Sequence, residues 1–323
     1  MPEIARLTAA MLTDPAFAAI DAHPFTGGFG RRYYPLVLGD KRRDESFAVV
    51  EQSQPLLLAL CTVGEDTLDF YGMPIQIFAR AGLSADELIV AIDMAFAQFD
   101  GLAAATGVGR ITIIDDATNA APLKQAAEPR GYVGSNHDYA QADLSKDEAG
   151  LRQGLRRRFK PFLNWGQRSL SLEIFAAKNP DPALFQKYQE FHRKIAGRTT
   201  RQQDSWDVMA DWIAAGHGEL ILASLDGELV AGTMIVDGTS TAFYASGVYD
   251  RERFDKPLGH WPLWLAILNA RERGLQVFDI GEIPHEGAAS GKEVNIGYFK
   301  SGFTSTIVTR TIWTSERKIQ ESQ

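Results

Sequence analysis

LWLAILNARERGLQVFDIGE, residues 263–282, reads as the body of a helix that begins near His260 and ends near Glu272, followed by a buried strand that closes on acid. The same order stands upstream in IDMAFAQFDGLAAATGVGRITIIDD, residues 92–116, where a long helix leads to an apolar strand and two aspartates. Around these stretches each half gives strands in a meander, a long helix, an apolar strand ending in acid, a short helix and a last strand. EPRGY (128–132) in the first half sits beside YFKSGF (298–303) in the second. This parallel predicts an α/β chain of two similar halves, each a mixed, mostly antiparallel sheet flanked by helices.

In the first half, apolar runs of strand length fall at 33–38, 47–51, 56–63 and 67–71, separated by Gly, Asp or Pro. Ser84 followed by Glu87 forms the signature of a capping box for the long helix, whose Leu88, Ile92, Ala95, Phe96 and Phe99 keep helical spacing. A helix over 119–128 and a strand over 139–144 follow. In the second half, 181–196 and 205–215 read as helices. Strands at 219–224, 228–236 and 241–248 are joined by Asp-Gly turns. A short helix through 295–298 leads into a strand over 305–314. The expected organisation is an N-terminal half over 1–147, a basic connecting helix over 148–168 and a C-terminal half over 169–323, the one expected to carry the chemistry.

The connecting segment holds Arg152, Arg156, Arg157, Arg158 and Lys160. On one continuous helix, Arg152, Arg156 and Lys160 share a face at i, i+4 and i+8, opposite a stripe of Leu151, Leu155, Phe159 and Phe162. The chain as a whole is acidic, with a net charge of −8 over 323 residues. Bulk attraction to nucleic acid is therefore excluded, and any polyanion contact must come from this local basic stretch. A lone cysteine, Cys61, in an apolar run excludes a disulfide framework and a thiolate metal cluster. The six histidines show no metal-ligand spacing, so no metal is expected. Absence of a secretion-signal pattern and of about 18 successive apolar residues leads to the expectation of a cytoplasmic protein without a membrane span.

Four pieces carry a family resemblance: LRRRFKPFLNWGQR (155–168), DGELVAGTMIV with AFYASGVYD (226–236 and 242–250), the opening stretch, and VNIGYFKSGF (294–303). Over roughly 150–312 the chain resembles the GNAT acyltransferase superfamily, and more narrowly its Fem-type branch of peptidoglycan aminoacyl ligases and their relatives. Two departures stand beside this. DKPLGHWP (255–262) has one glycine where simple acetyl-CoA enzymes carry two, and the coiled-coil arm of tRNA-using Fem ligases is missing.

The resemblance implies an N-acyltransferase moving an acyl group from an activated donor to an amine, on a cell-surface precursor or amino sugar. Acyl-CoA is the favoured donor and serves as the expected co-substrate. The alternatives are an aminoacyl ligase using charged tRNA, and a non-catalytic binding member of the fold. In Fem-type relatives the lysine of the YFKSGF motif lies at the transfer site, which nominates Lys300 for stabilising charge there. Asp279 and Glu282, at the end of the central strand, face the cleft in this fold and are placed to accept the ammonium proton that must leave before an amine attacks. His260 is a third candidate base, or an N-cap. Lys256 and Gly259 lie before a helix start, where exposed N–H groups favour phosphate. Tyr244 and Ser246 alternate to one side of a strand and either line the acceptor cleft or form ordinary surface. Tyr298 offers a hydroxyl and Phe299 a pocket wall, or both are core. Arg156, Arg157 and Lys160 either grip a phosphate-bearing substrate bidentately or form a solvated linker.

Overall fold

A computed structural model describes residues 1–116, 119–284 and 291–317. His285 lies outside them. In chain order the first elements are β1 (Glu3–Arg6), α1 (Ala9–Leu12), α2 (Gly28–Leu38), β2 (Arg43–Asp44), β3 (Phe47–Glu51), β4 (Gln54–Leu60), β5 (Thr62–Val63) and β6 (Thr67–Asp69). There follow β7 (Gln76–Ala79), α3 (Ala85–Thr106), β8 (Arg110–Ile114), α4 (Ala120–Ala127) and β9 (Val133–Asp143). Next come α5 (Glu148–Gln153), α6 (Phe159–Ser169), β10 (Ser171–Phe175), α7 (Pro182–Ala196), α8 (Gln203–Ala214) and β11 (Gly218–Leu225). The chain closes with β12 (Glu228–Asp237), β13 (Thr241–Tyr249), α9 (His260–Glu272), β14 (Val277–Ile283), α10 (Gly291–Lys300) and β15 (Ile307–Glu316).

Contacts group the chain into two compact units that are not contiguous in sequence. The first comprises Met1–Ile20, Leu38–His137 and the stretch from Thr309 onward; the second comprises Asp21–Val37 and Asp138–Val308. Each is a mixed, mostly antiparallel sheet system flanked by helices.

In the first unit, β1, β3, β4 and β7 form an antiparallel sheet in that order. Strand β8 pairs with β15 on one side and β6 on the other. The helix expected from the capping box forms as α3, with Ser84 and Glu87 exchanging both capping bonds. Its Ala91, Ile92, Ala95, Phe96, Phe99 and Ala103 are buried in the core with Val49, Leu57 and Ile113. By length and composition α3 is long and apolar enough to cross a membrane, although it holds no unbroken apolar run of that length. The run is interrupted by Asp93 and Asp100, and the helix serves as the core helix of this unit.

The second unit carries the order β10-β11-β12-β13-β14-β9. All neighbours are antiparallel except β13 and β14. Strand alternation sends Ile221, Ile235 and Ala242 to one face, under α6 and α9 with Leu163, Leu263, Trp264 and Phe278. Leu220, Leu222, Met234 and Val236 point to the other, under α7 and α8 with Phe185, Tyr188, Trp206 and Ile213. The Asp-Gly between β11 and β12 has φ of 53° at Asp226 and 84° at Gly227, the left-handed pair that a tight hairpin needs.

Two expectations fail. Residues 33–38 are not a strand but the end of α2. Phe29 and Tyr33 stack at i, i+4, with centroids 5.2 Å apart, and short apolar runs fit either period until such contacts are known. The connecting segment is not one helix either. It breaks after α5, at Gly154, and restarts at Phe159 as α6. Arg156 falls in the break, so Arg152, Arg156 and Lys160 do not share a helical face. Leu151, Leu155 and Phe159 are nonetheless buried in one core, and Phe162, partly buried, packs against it.

Candidate functional site

The site grows from two irregular strands in the second unit. β13 and β14 pair in parallel only over Thr241–Phe243 and Val277–Asp279. Both then run on, to Tyr249 and Ile283, without pairing further with each other. A bulge at Ala245 interrupts β13 against β12, and one at Ile280 interrupts β14 against β9. Bulges bend and twist the strand that carries them, so two at this level part the strands and free backbone polar groups to meet a ligand.

The charged side chains gather where the strands part. Asp279, almost fully buried, accepts from the Gly281 N–H at 2.7 Å and from the Gln141 amide at 3.2 Å. The Nε2 of His23 faces the same carboxylate at 3.7 Å. Because His23 Nδ1 accepts from the Phe25 N–H at 3.2 Å, its proton lies on Nε2, toward Asp279. Lys300, the last residue of α10, reaches back to donate to the Glu282 carbonyl at 3.0 Å. Gly281 makes this approach possible: its φ is +96°, and a Cβ there would lie 2.8 Å from Lys300 Nζ. Burial lowers the Lys300 pKa from its ordinary value, and the carboxylates of Asp279 and Glu282 offset part of that. The structure therefore brings Lys300, Asp279 and Glu282 together.

The other nominated residues are placed differently. The bulge at Ala245 turns Tyr244 and Ser246 to opposite faces, since Ser246 opposes Met234 while Tyr244 opposes Ile235. This corrects the expectation of a shared side. Ser246 accepts from the Tyr188 hydroxyl at 2.8 Å, and Tyr244 shares a 2.5 Å hydrogen bond with Tyr249. Burial raises the pKa of Tyr188, to about 12, and of Tyr244 and Tyr249, so all three are protonated hydroxyls. Gly259 is required by packing, because a Cβ would lie 2.5 Å from the Tyr249 ring. Lys256 is exposed and paired with Asp255 at 3.0 Å.

Arg156 clamps the end of α10. It donates to the Tyr298 carbonyl at 2.7 Å and to Ser301 Oγ at 3.0 Å, with its guanidinium 3.7 Å over the Tyr298 ring. Its own N–H bonds the Gly302 carbonyl at 2.9 Å. It thus satisfies a helix-end carbonyl and holds the YFKSGF segment in place. Arg157 and Lys160 are exposed.

His260 stands edge-on to Phe159, Phe162 and Phe299, at 4.6, 4.9 and 5.2 Å. Its Nδ1 is buried without a partner among the described residues. Burial lowers its pKa to about 4, only partly offset by the Pro257 carbonyl. Between that value and the ordinary ~6.5 the unfolded chain binds the proton more readily, so His260 costs stability as pH falls through this window. We expect Tm to drop less from pH 7 to pH 5 in His260→Leu than in the parent protein. Equal drops in the two, followed by differential scanning calorimetry, would remove this assignment.

Residues 149–291 match the family model described as an acetyltransferase (GNAT) domain. Those residues form a GNAT domain. Among curated proteins, no sequence matches the chain. Among solved structures, that of FemX superposes with a TM-score of 0.65 at 12% identity, covering 96% of each chain. L-PGS from Bacillus licheniformis gives 0.52 at 14% identity, over 88% of this chain and 90% of that one. A tandem GNAT protein from the clavulanic acid biosynthesis pathway gives 0.51 at 14% identity, over the full length of both. The fold is thus the one that FemX and the tandem GNAT protein share.

His23, Gln141 and Gly281 are the site residues that the sequence reading did not name. Gln141 and His23 come from segments 138 and 256 residues away from Asp279, and nothing local marks them. Gly281 did carry a signal: glycine inside a strand marks a bulge or a close approach.

Proposed function

We propose that the chain is a cytoplasmic N-acyltransferase that passes an acyl group from an activated donor, acyl-CoA in preference, to an amine. One observation carries this reading: a half-buried ammonium, Lys300, bonds the Glu282 carbonyl over Gly281, near the carboxylates of Asp279 and Glu282, where β13 and β14 part. An acyl carbonyl lying in the gap would develop negative charge on its oxygen as the amine attacks. Lys300 and free backbone N–H groups of the parted strands would stabilise that charge. The leaving ammonium proton would pass to Asp279 or Glu282, with the neutral His260 ring as a third acceptor. No covalent enzyme intermediate enters the scheme.

The donor end would meet the start of α9, where the His260 N–H already bonds the Pro257 carbonyl and Pro262 has none, so Trp261 offers the N–H of the first turn to a phosphate. Since Lys256 is already paired, this cradle is weaker than one with a free cation. Tyr244 with Tyr249, Ser246, Tyr298 and Phe299 would form the walls.

One feature favours an aminoacyl-tRNA donor instead. Arg157, Arg158 and Lys160 are exposed at the start of α6 and form no ion pair among the described residues, as an aminoacyl-tRNA donor would require. Thermal-shift measurements with acetyl-CoA, longer acyl-CoAs and deacylated tRNA separate the two. A ligand at 100 times its Kd adds about 2.7 kcal/mol. Stabilisation by an acyl-CoA is expected; a shift with tRNA and with no CoA would reverse the choice of donor.

A further inference from the structure

We propose that the pocket between α7 and α8 is a binding site for an anionic group, phosphate or carboxylate, on a small ligand, with Arg201 as its counter-charge. The cavity measures about 290 Å³, and its lining includes His192, Arg193, Thr200, Arg201, Gln202 and Trp206. Two guanidinium groups line it, and no aspartate or glutamate does.

Arg201 is half-buried, and its hydrogen bonds go to neutral partners. Its Nε donates to the Tyr33 hydroxyl at 3.0 Å, and its Nη1 meets His192 Nε2 at 3.1 Å. Burial, and then the charge of Arg201 itself, lower the His192 pKa to about 4, so the imidazole is an uncharged acceptor at neutral pH. With Nε2 accepting, the ring proton faces Thr200 Oγ at 3.3 Å. The guanidinium also lies 5.0 Å over the Trp206 ring. It is therefore fixed in direction while its charge is not cancelled by a carboxylate among the described residues. A partly desolvated cation without a counter-ion is costly, and an anion entering the pocket would offset that cost.

The helix start adds a second, independent indication. α8 is 12 residues long, and its N-cap, Gln202, makes no side-chain capping bond. Gln202 and Gln203 both line the cavity, so uncapped N–H groups and the positive end of the helix dipole face it. Asp204 and Asp207 lie in the first two turns and are exposed; Asp207 accepts from the Gln203 side chain at 2.7 Å. Trp206, buried at the back, supplies an apolar wall for the rest of the ligand. The proposal stands apart from acyl transfer, and its test does not need turnover.

Titration calorimetry with inorganic phosphate and with malonate, each against chloride at equal ionic strength, provides the test. Saturable binding of at least one is expected, and the tighter of the two identifies the group. Arg201→Gln should weaken it at least tenfold, with partial recovery in Arg201→Lys. Gln202→Asp guards against a folding defect: the new carboxylate caps α8, which should raise Tm, yet it should abolish anion binding. Equal binding in the parent protein and both Arg201→Gln and Gln202→Asp, or binding of neither anion beyond chloride, would overturn the proposal.

Discussion

Replacing Lys300 with alanine is expected to lower acyl-transfer turnover about 10²–10³-fold, the usual consequence of losing one donor to a developing oxyanion. The KM for the donor should change far less, since the loss is of an interaction strengthened in the transition state. The expectation follows from placement. Lys300 ends α10, is braced by the clamp of Arg156 on that helix, and passes over a glycine that alone leaves room for it. The pH profile carries a second reading. Only the ammonium form can stabilise negative charge, and burial lowers the pKa of Lys300. Turnover should therefore fall on the alkaline side at a pH below the ordinary lysine value of about 10.4, and Lys300→Arg should move that limb upward. A thiol-release assay with acetyl-CoA and a panel of amines measures both. Unchanged turnover in Lys300→Ala, with Tm also unchanged, would show that the ammonium plays no part in the chemistry.

What was readable in the sequence depended on how local its cause was. The capping box of α3 and the Asp-Gly hairpin after β11 are set by neighbouring residues, and both formed as read. So did the helix-to-strand block over 263–282, as α9 and β14, because it carries its own periodicities. Bulges are different. Nothing in AFYASGVYD announces that Ala245 is an extra residue against β12, yet that one residue sends Ser246 to Tyr188 and Tyr244 to Tyr249. A cluster of arginines likewise does not say which of them is exposed. Arg156 is consumed by α10, 142 residues on, while Arg157, one residue away, faces solvent. The candidate site was thus legible in the residues that its own motif supplies, Lys300, Asp279 and Glu282. It was opaque where distant strands and the His23 segment complete it.

Arg273→Met is expected to destabilise the second unit by about 3–5 kcal/mol, the range for breaking a buried ion pair by removing one partner. Arg273 follows α9 and holds both carboxylate oxygens of Asp237, at 2.7 and 3.1 Å, while its Nη1 reaches Glu219 at 3.0 Å. Asn269 on α9 donates to the other Glu219 oxygen at 2.7 Å. These contacts fasten the end of α9 to the start of β11 and the end of β12, the hairpin beneath the site. Both carboxylates are almost fully buried, and burial raises the pKa of each despite the offset from Arg273. Methionine preserves much of the packing volume but leaves two buried acids without a cation. Each then folds most readily when protonated. The folded state holds more protons than the unfolded one above the ordinary carboxyl pKa, so the stability of the variant falls as pH rises. The loss relative to the parent protein should accordingly be greater at pH 8 than at pH 5. Urea midpoints at the two pH values measure it. A loss below about 1 kcal/mol at both would mean that Asn269 and the surrounding backbone suffice to hold Glu219 and Asp237.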